Sequence, residues 1–297
     1  MTLVCDVAGF ELRIAHKELL TMDLTRLPTL KIFFHTLSNI TDYNHTLAIL
    51  KRFQNLTTLV LTFGSCTFYD AKRLCIKNTK FEQILKSIGR MRKLQALHIQ
   101  ILENDFTDSD MLMLSRFLSK MKQLTSLKFS LLYGMKLSPS TINFFIERLK
   151  INLPHLKCLD LNLQRYYLSK HEYLPSIASG LFETIRAMKK LRSLRLNLAR
   201  WNAAITCETA ADLARVIEEL KELEELSLCF NDCRKIEDEG LQLVAQGISK
   251  RMNLKKLGLY LKHNKRITKE SWQNLLQVVS GISGLNKTEL VFSDFCM

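Results

Sequence analysis

The chain has 297 residues, 47% of them hydrophobic and 24% charged, with 10 glycines, 4 prolines and a net charge of +14 at pH 7. That balance excludes collagen-like and disordered classes, and no stretch approaches the roughly 18 apolar residues of a membrane helix. The N-terminal stretch carries Asp6 and Glu11 and lacks a basic start followed by an apolar run, so it reads as neither a secretory signal nor a transit peptide.

Taken in chain order, Leu3, Cys5 and Val7 alternate like a strand and read as a partial N-terminal unit within residues 1–26. From residue 27 to 297 one phrase recurs, apolar-x-x-Leu-x-x-Leu-x-Leu-x-apolar. It stands as MRKLQALHIQI from Met91 to Ile101, MKQLTSLKFSL from Met121 to Leu131, LPHLKCLDLNL from Leu153 to Leu163, MKKLRSLRLNL from Met188 to Leu198 and LKELEELSLCF from Leu220 to Phe230. The opening leucines are Leu27, Leu56, Leu94, Leu124, Leu156, Leu191, Leu223, Leu254 and Leu285, a repeat of about 30 residues that means a solenoid stacked from like units. A second column runs from Leu30 to Leu257 and fails at Thr288; a third runs from Ile32 to Leu290; a fourth, from Phe34 to Phe292, is expected to continue the strand. Alternation with period two predicts strands with one buried face.

Between strands the period becomes helical. Phe81, Ile84, Leu85 and Ile88 share one face, as do Ile142, Phe145, Ile146 and Leu149, then Leu213, Val216, Ile217 and Leu220, then Trp272, Leu275, Leu276 and Val279. Each unit is therefore strand, loop, helix, loop. No unit can bury both its apolar faces alone, so stacking must do it.

These residues resemble the leucine-rich repeat family, in particular the ribonuclease-inhibitor-like class, with Leu223 to Leu254 as the best match. The resemblance implies a single α/β domain over 1–297: a curved horseshoe of about nine repeats, parallel strands on the concave face and helices on the convex face. It covers nearly the whole chain and specifies fold far better than function. The family's asparagine after the third leucine is missing from most repeats, although Asn231 comes close to it, so an asparagine ladder is expected to be largely absent. The ends carry no evident polar caps, a hint that the protein assembles with others.

Charge is uneven. Between Trp201 and Gly240 eleven acids face only Arg215, Lys221, Arg234 and Lys235. Elsewhere bases recur where a helix ends and the next strand begins: Lys51 and Arg52; Arg90, Arg92 and Lys93; Lys120 and Lys122; Lys150 and Lys157; Lys189, Lys190 and Arg192; Lys250, Arg251, Lys255 and Lys256. Stacking would align them as a basic edge. Such cations complement helix dipoles and cap free carbonyls, or meet an acidic partner such as RNA or an acidic protein tail. On the concave face the basic middle is His98, Lys128 and Arg195.

The loop from Leu161 to Ser176 gathers Arg165, Tyr166, Tyr167, Lys170, His171 and Tyr173, with Trp201 and Tyr260 from neighbouring segments. Tyrosine beside arginine is the composition of interface anchors, so this rim is the expected partner-binding surface. The eight cysteines form no C-x-x-C and read as reduced intracellular thiols. No phosphate loop, H-E-x-x-H or G-x-S-x-G is present, so no enzymatic activity, cofactor, metal or small-molecule substrate is expected. The sequence is read as a non-catalytic protein-binding scaffold, a subunit of a larger intracellular, cytoplasmic assembly. The alternatives are an RNA-binding subunit of a ribonucleoprotein, through the basic edge, and a binder of acidic tails such as tubulin's in a cytoskeletal or ciliary complex.

Overall fold

The computed structural model describes residues 2–7, 10–14, 28–34, 47, 50–53, 55–63, 78–102, 106–131, 137–164 and 174–292. Eleven strands form one sheet: β1 (Thr2–Val7), β2 (Phe10–Ile14), β3 (Thr29–Phe34), β4 (Thr58–Phe63), β5 (Ala96–Ile101), β6 (Ser126–Leu131), β7 (Cys158–Asn162), β8 (Ser193–Asn197), β9 (Glu225–Cys229), β10 (Lys256–Tyr260) and β11 (Lys287–Val291). Seven helices are described: α1 (Asn78–Ile88), α2 (Asp108–Leu118), α3 (Pro139–Asn152), α4 (Leu174–Arg186), α5 (Cys207–Glu219), α6 (Asp238–Ser249) and α7 (Lys269–Ser280). β3 to β11 run parallel in sequence order. This is an α/β leucine-rich repeat solenoid.

The register reproduces the leucine columns. Leu30, Leu59, Leu97, Leu127, Leu159, Leu194, Leu226 and Leu257 pair in turn, ending on Thr288. The leucines of this column are buried, as is the third column from Ile32 to Leu259, whereas Thr288 is exposed. A one-residue slip would turn every leucine to water, so the pattern holds the register. The fourth column lies within β3 to β6, but from β7 onward the strand stops just before it. Leu163, Leu198, Phe230 and Leu261 are buried beyond the strand ends, their amides still bonded to the next strand at 2.9 Å.

Capping starts the helices. Thr107 and Asp110 form a capping box at α2, Thr206 and Thr209 another at α5, and Ser138 caps α3 with Pro139 in its first turn. The predicted helix faces of α1, α3 and α5 are fully buried. The face predicted for α7 is only partly so: Leu276 is exposed and Trp272 half-buried. α7 packs on α6, and its Trp272 ring stacks on Phe292 with centroids 4.9 Å apart.

The N-terminal strand departs from the expected partial repeat. β1 pairs antiparallel with both β2 and β3, so Leu3, Cys5 and Val7 belong to a hairpin that extends the sheet against the direction of the repeats.

Candidate functional site

The turn from helix to next strand is built identically in successive repeats. The residue after each opening leucine offers its carbonyl to two amides of the following repeat. Thr57 receives Gln95 and Ala96, Gln95 receives Thr125 and Ser126, and Thr125 receives Lys157 and Cys158. Lys157 in turn receives Arg192 and Ser193, and Arg192 receives Glu224 and Glu225, at 2.7 to 3.1 Å. This ladder holds the turns side by side, so charges on them are fixed in rows rather than left on independent loops.

The rows differ in how their charge is balanced. Toward the C-terminal half Lys189, Arg192, Lys250 and Lys255 each meet an acid of a neighbouring repeat, whereas Lys190 and Lys221 do not among the described residues. Lys189 contacts Glu219 at 2.6 Å, Arg192 lies 3.4 Å from Glu222 and 3.8 Å from Glu224, Lys250 meets Glu218 at 2.6 Å and Lys255 meets Glu224 at 2.6 Å. Glu219 and Glu224 are held below the usual carboxylate range, first by hydrogen bonds from Lys189 and Lys255 respectively. The acidic run thus neutralises the stripe around it.

Toward the N-terminal half nothing does. Arg90, Arg92, Lys93, Lys120, Lys122, Lys150, Lys157 and Lys190 are all exposed, and none makes an ion pair or side-chain hydrogen bond among the described residues. The turn segments that carry them (89–95, 119–125, 150–157 and 187–192) contain no Asp or Glu. Among the described residues these side chains do not bond the terminal helix carbonyls, so they act on the helix ends only through their charge beside the dipoles. Like charges held in adjacent rows repel, a cost that an acidic partner would relieve.

Arg251 departs from the predicted edge. It occupies the turn position that Met91, Met121, Leu153, Met188, Leu220 and Ile282 fill elsewhere, is only 9% exposed, and leaves its Nε without a hydrogen-bond partner. It is a buried substitute for an apolar residue, not a surface cation.

Trp201 is also not a surface anchor. It is buried, and its Nε1 donates to the Leu163 carbonyl at 2.8 Å. Cys233 Sγ donates to Leu198 O at 3.3 Å, and Asn264 Nδ2 donates to Phe230 O at 2.9 Å. Three different side chains at one repeat position therefore satisfy the same carbonyl of the preceding unit, replacing a uniform asparagine ladder. Each follows a residue in the left-handed region, Arg200 (φ 70°), Asp232 (φ 60°) and His263 (φ 64°). Burial pushes the Cys233 thiol up to about 12. Arg165, Tyr166, Tyr167, Lys170, His171 and Tyr173 lie outside the described residues.

On the concave face the predicted bases come together but are internally matched. Lys128 lies 3.9 Å from Asp160, and Arg195 lies 3.9 Å from Glu225, which also accepts from Ser193 at 3.1 Å and pairs with Lys256. A shallow cavity of about 310 Å³ opens among Lys128, Cys158, Asp160, Arg195 and Glu225. His98 is held below its ordinary value by burial, then by Lys128, with Asp160 opposing. Tyr260, half-buried, is pushed up by burial and by its hydrogen bond to Glu289. Among the described residues no cluster of His, Cys, Asp or Glu could hold a metal ion, and no helix is long and apolar enough to cross a membrane.

No protein-family model matches the chain, and no curated protein matches it. Solved structures do. A Bacteroides fragilis protein aligns over 95% of this chain and 71% of its own at 14% identity, with a TM-score of 0.52. A chain of the yeast Rad7–Elc1 complex aligns over 92% of this chain at 16% identity, with a TM-score of 0.54, and this chain spans 58% of its length. A chain of the TLR13–ssRNA13 complex aligns over 95% of this chain at 16% identity with a TM-score of 0.40, and this chain spans 35% of it. At these identities the likeness is one of fold.

Proposed function

We propose that this protein is a non-catalytic protein-binding scaffold, a subunit of a larger intracellular assembly, that engages its partner through the N-terminal half of the turn edge. The reading treats 1–297 as one leucine-rich repeat domain of the ribonuclease-inhibitor-like class, with a helix in each repeat. The observation that carries it is the contrast along one rigid edge: Arg90, Arg92, Lys93, Lys120, Lys122, Lys150 and Lys157 are exposed and have no acid partner among the described residues in three consecutive turns, beside turns that hold paired cations. The concave face is a poorer candidate because its charges already satisfy one another. The Arg165–Tyr173 rim belongs to the proposal as a second contact, on its composition alone. Cys158, Cys207, Cys229 and Cys233 are free thiols, which fits a reducing compartment.

The test is affinity purification of the tagged protein from its native cells, with and without nuclease. It compares wild type with a variant carrying Arg92→Glu, Lys93→Glu, Lys120→Glu and Lys122→Glu. Protein partners should survive nuclease and be lost from the variant, whose melting temperature should match wild type. Partners that disappear with nuclease, or that the variant retains, would overturn the reading.

A further inference from the structure

The unpaired edge is not purely cationic. Ile151, at the C-terminal end of α3, is 66% exposed, the most exposed large apolar side chain among the described residues. The matching turn positions carry Gly89, Ser119 and Arg186, so an isoleucine is not required there by the repeat. Lys150 and Lys157 flank it in its own turn, and Lys120 and Lys122 project from the turn before, all exposed and unpaired among the described residues. An apolar side chain surrounded by uncompensated cations wants a ligand with both properties.

Nucleic acid offers only one of them. A phosphate backbone gains nothing from an isoleucine, and unpaired strands are held by stacking on aromatic rings. The four turns contain no Phe, Tyr or Trp. An acidic protein segment bearing an apolar residue satisfies both the charge and the exposed side chain. The three unpaired turns, spaced as the strands are, cover roughly 10 Å, the length of about three residues of extended chain, so a short linear segment suffices.

We propose that Ile151 and its surrounding lysines form a docking site for an extended acidic segment of a protein partner, with an apolar side chain of that segment seated on Ile151. This rests on the turn-edge reading above and names the chemistry of its occupant.

The experiment measures fluorescence anisotropy of the full chain with three labelled probes. They are a glutamate-rich peptide containing leucine, the same peptide with serine in place of leucine, and an oligouridine of matched charge. The leucine peptide should bind about tenfold or more tightly than the serine peptide, and Ile151→Ser should abolish that difference. Lys120→Glu with Lys122→Glu should weaken both peptides about tenfold, as should raising salt from about 50 to 200 mM. Tightest binding by oligouridine, unaffected by Ile151→Ser, would overturn the proposal in favour of an RNA surface. If no peptide binds while the charge-reversed variant still loses its cellular partner, the occupant is wrong and the scaffold reading stands. If neither effect appears, both fall.

Discussion

The same substitution, glycine to alanine, should move stability in opposite directions at two helical positions. Glycine within a helix costs about 0.5–1 kcal/mol relative to alanine, so propensity alone favours the change at both Gly180 in α4 and Gly247 in α6. At Gly180 an added Cβ meets nothing within 4 Å, and the gain of about 0.5–1 kcal/mol should appear in full. At Gly247 the Cβ would lie 2.8 Å from the Ala214 carbonyl oxygen, 3.0 Å from its Cα and 3.3 Å from its carbonyl carbon. These are backbone atoms of α5 and cannot rotate away. The two helices would have to part by several tenths of an ångström, loosening the contacts of buried Ala210, Ala214 and Ala245 between them. Overpacking of this kind costs about 1–3 kcal/mol, so the net should be a loss of up to about 2 kcal/mol at Gly247, the opposite sign to Gly180. Urea unfolding followed by circular dichroism gives the comparison, with equal m-values required before midpoints are converted to energies. Solenoids can lose cooperativity between repeats, so hydrogen exchange in α5 and α6 supplies a local measure. An increase in stability for Gly247→Ala matching that of Gly180→Ala would refute the argument that close helix approach decides this site.

Three further outcomes follow from the geometry. Trp201→Phe keeps a ring in the buried site but removes the donor to the Leu163 carbonyl, and should cost about 1–3 kcal/mol in thermal unfolding; no loss would mean that bond contributes nothing. Arg251→Met restores the side-chain type of Met91, Met121 and Met188 and removes an unsatisfied Nε, so it should stabilise by about 1 kcal/mol, and a lower melting temperature would show that the arginine has a structural partner. His98 should titrate below its ordinary value of 6.5 by NMR, rising in Lys128→Met and falling further in Asp160→Asn. Because the unfolded chain takes up this proton first, the contribution of His98 to stability is full above about 6.5 and is lost as pH falls through the lowered value. A rise of the His98 midpoint in Asp160→Asn would contradict the assigned causes.

The fold was legible because the repeat states its own register: residues two apart in one unit and about 30 apart between units fall into columns, and burial requires those columns to stack. The leucines from Leu30 to Leu257 pair as the spacing says. The position of the basic clusters at the helix-to-strand turns was legible for the same reason. Which of those cations are free was not. Lys189 is neutralised by Glu219 and Lys250 by Glu218, 30 and 32 residues away, whereas Lys120 and Lys122 pair with no acid among the described residues. Composition shows an excess of base, but charge balance is a property of neighbours across the stack. Trp201 and Arg251 make the same point from the core. One was read as a surface aromatic and the other as a surface cation, yet both are buried, because an indole or an arginine stem can fill a space that the repeat usually gives to a smaller apolar or amide side chain. Periodicity determines where a side chain points; only the packed repeats decide whether anything meets it there.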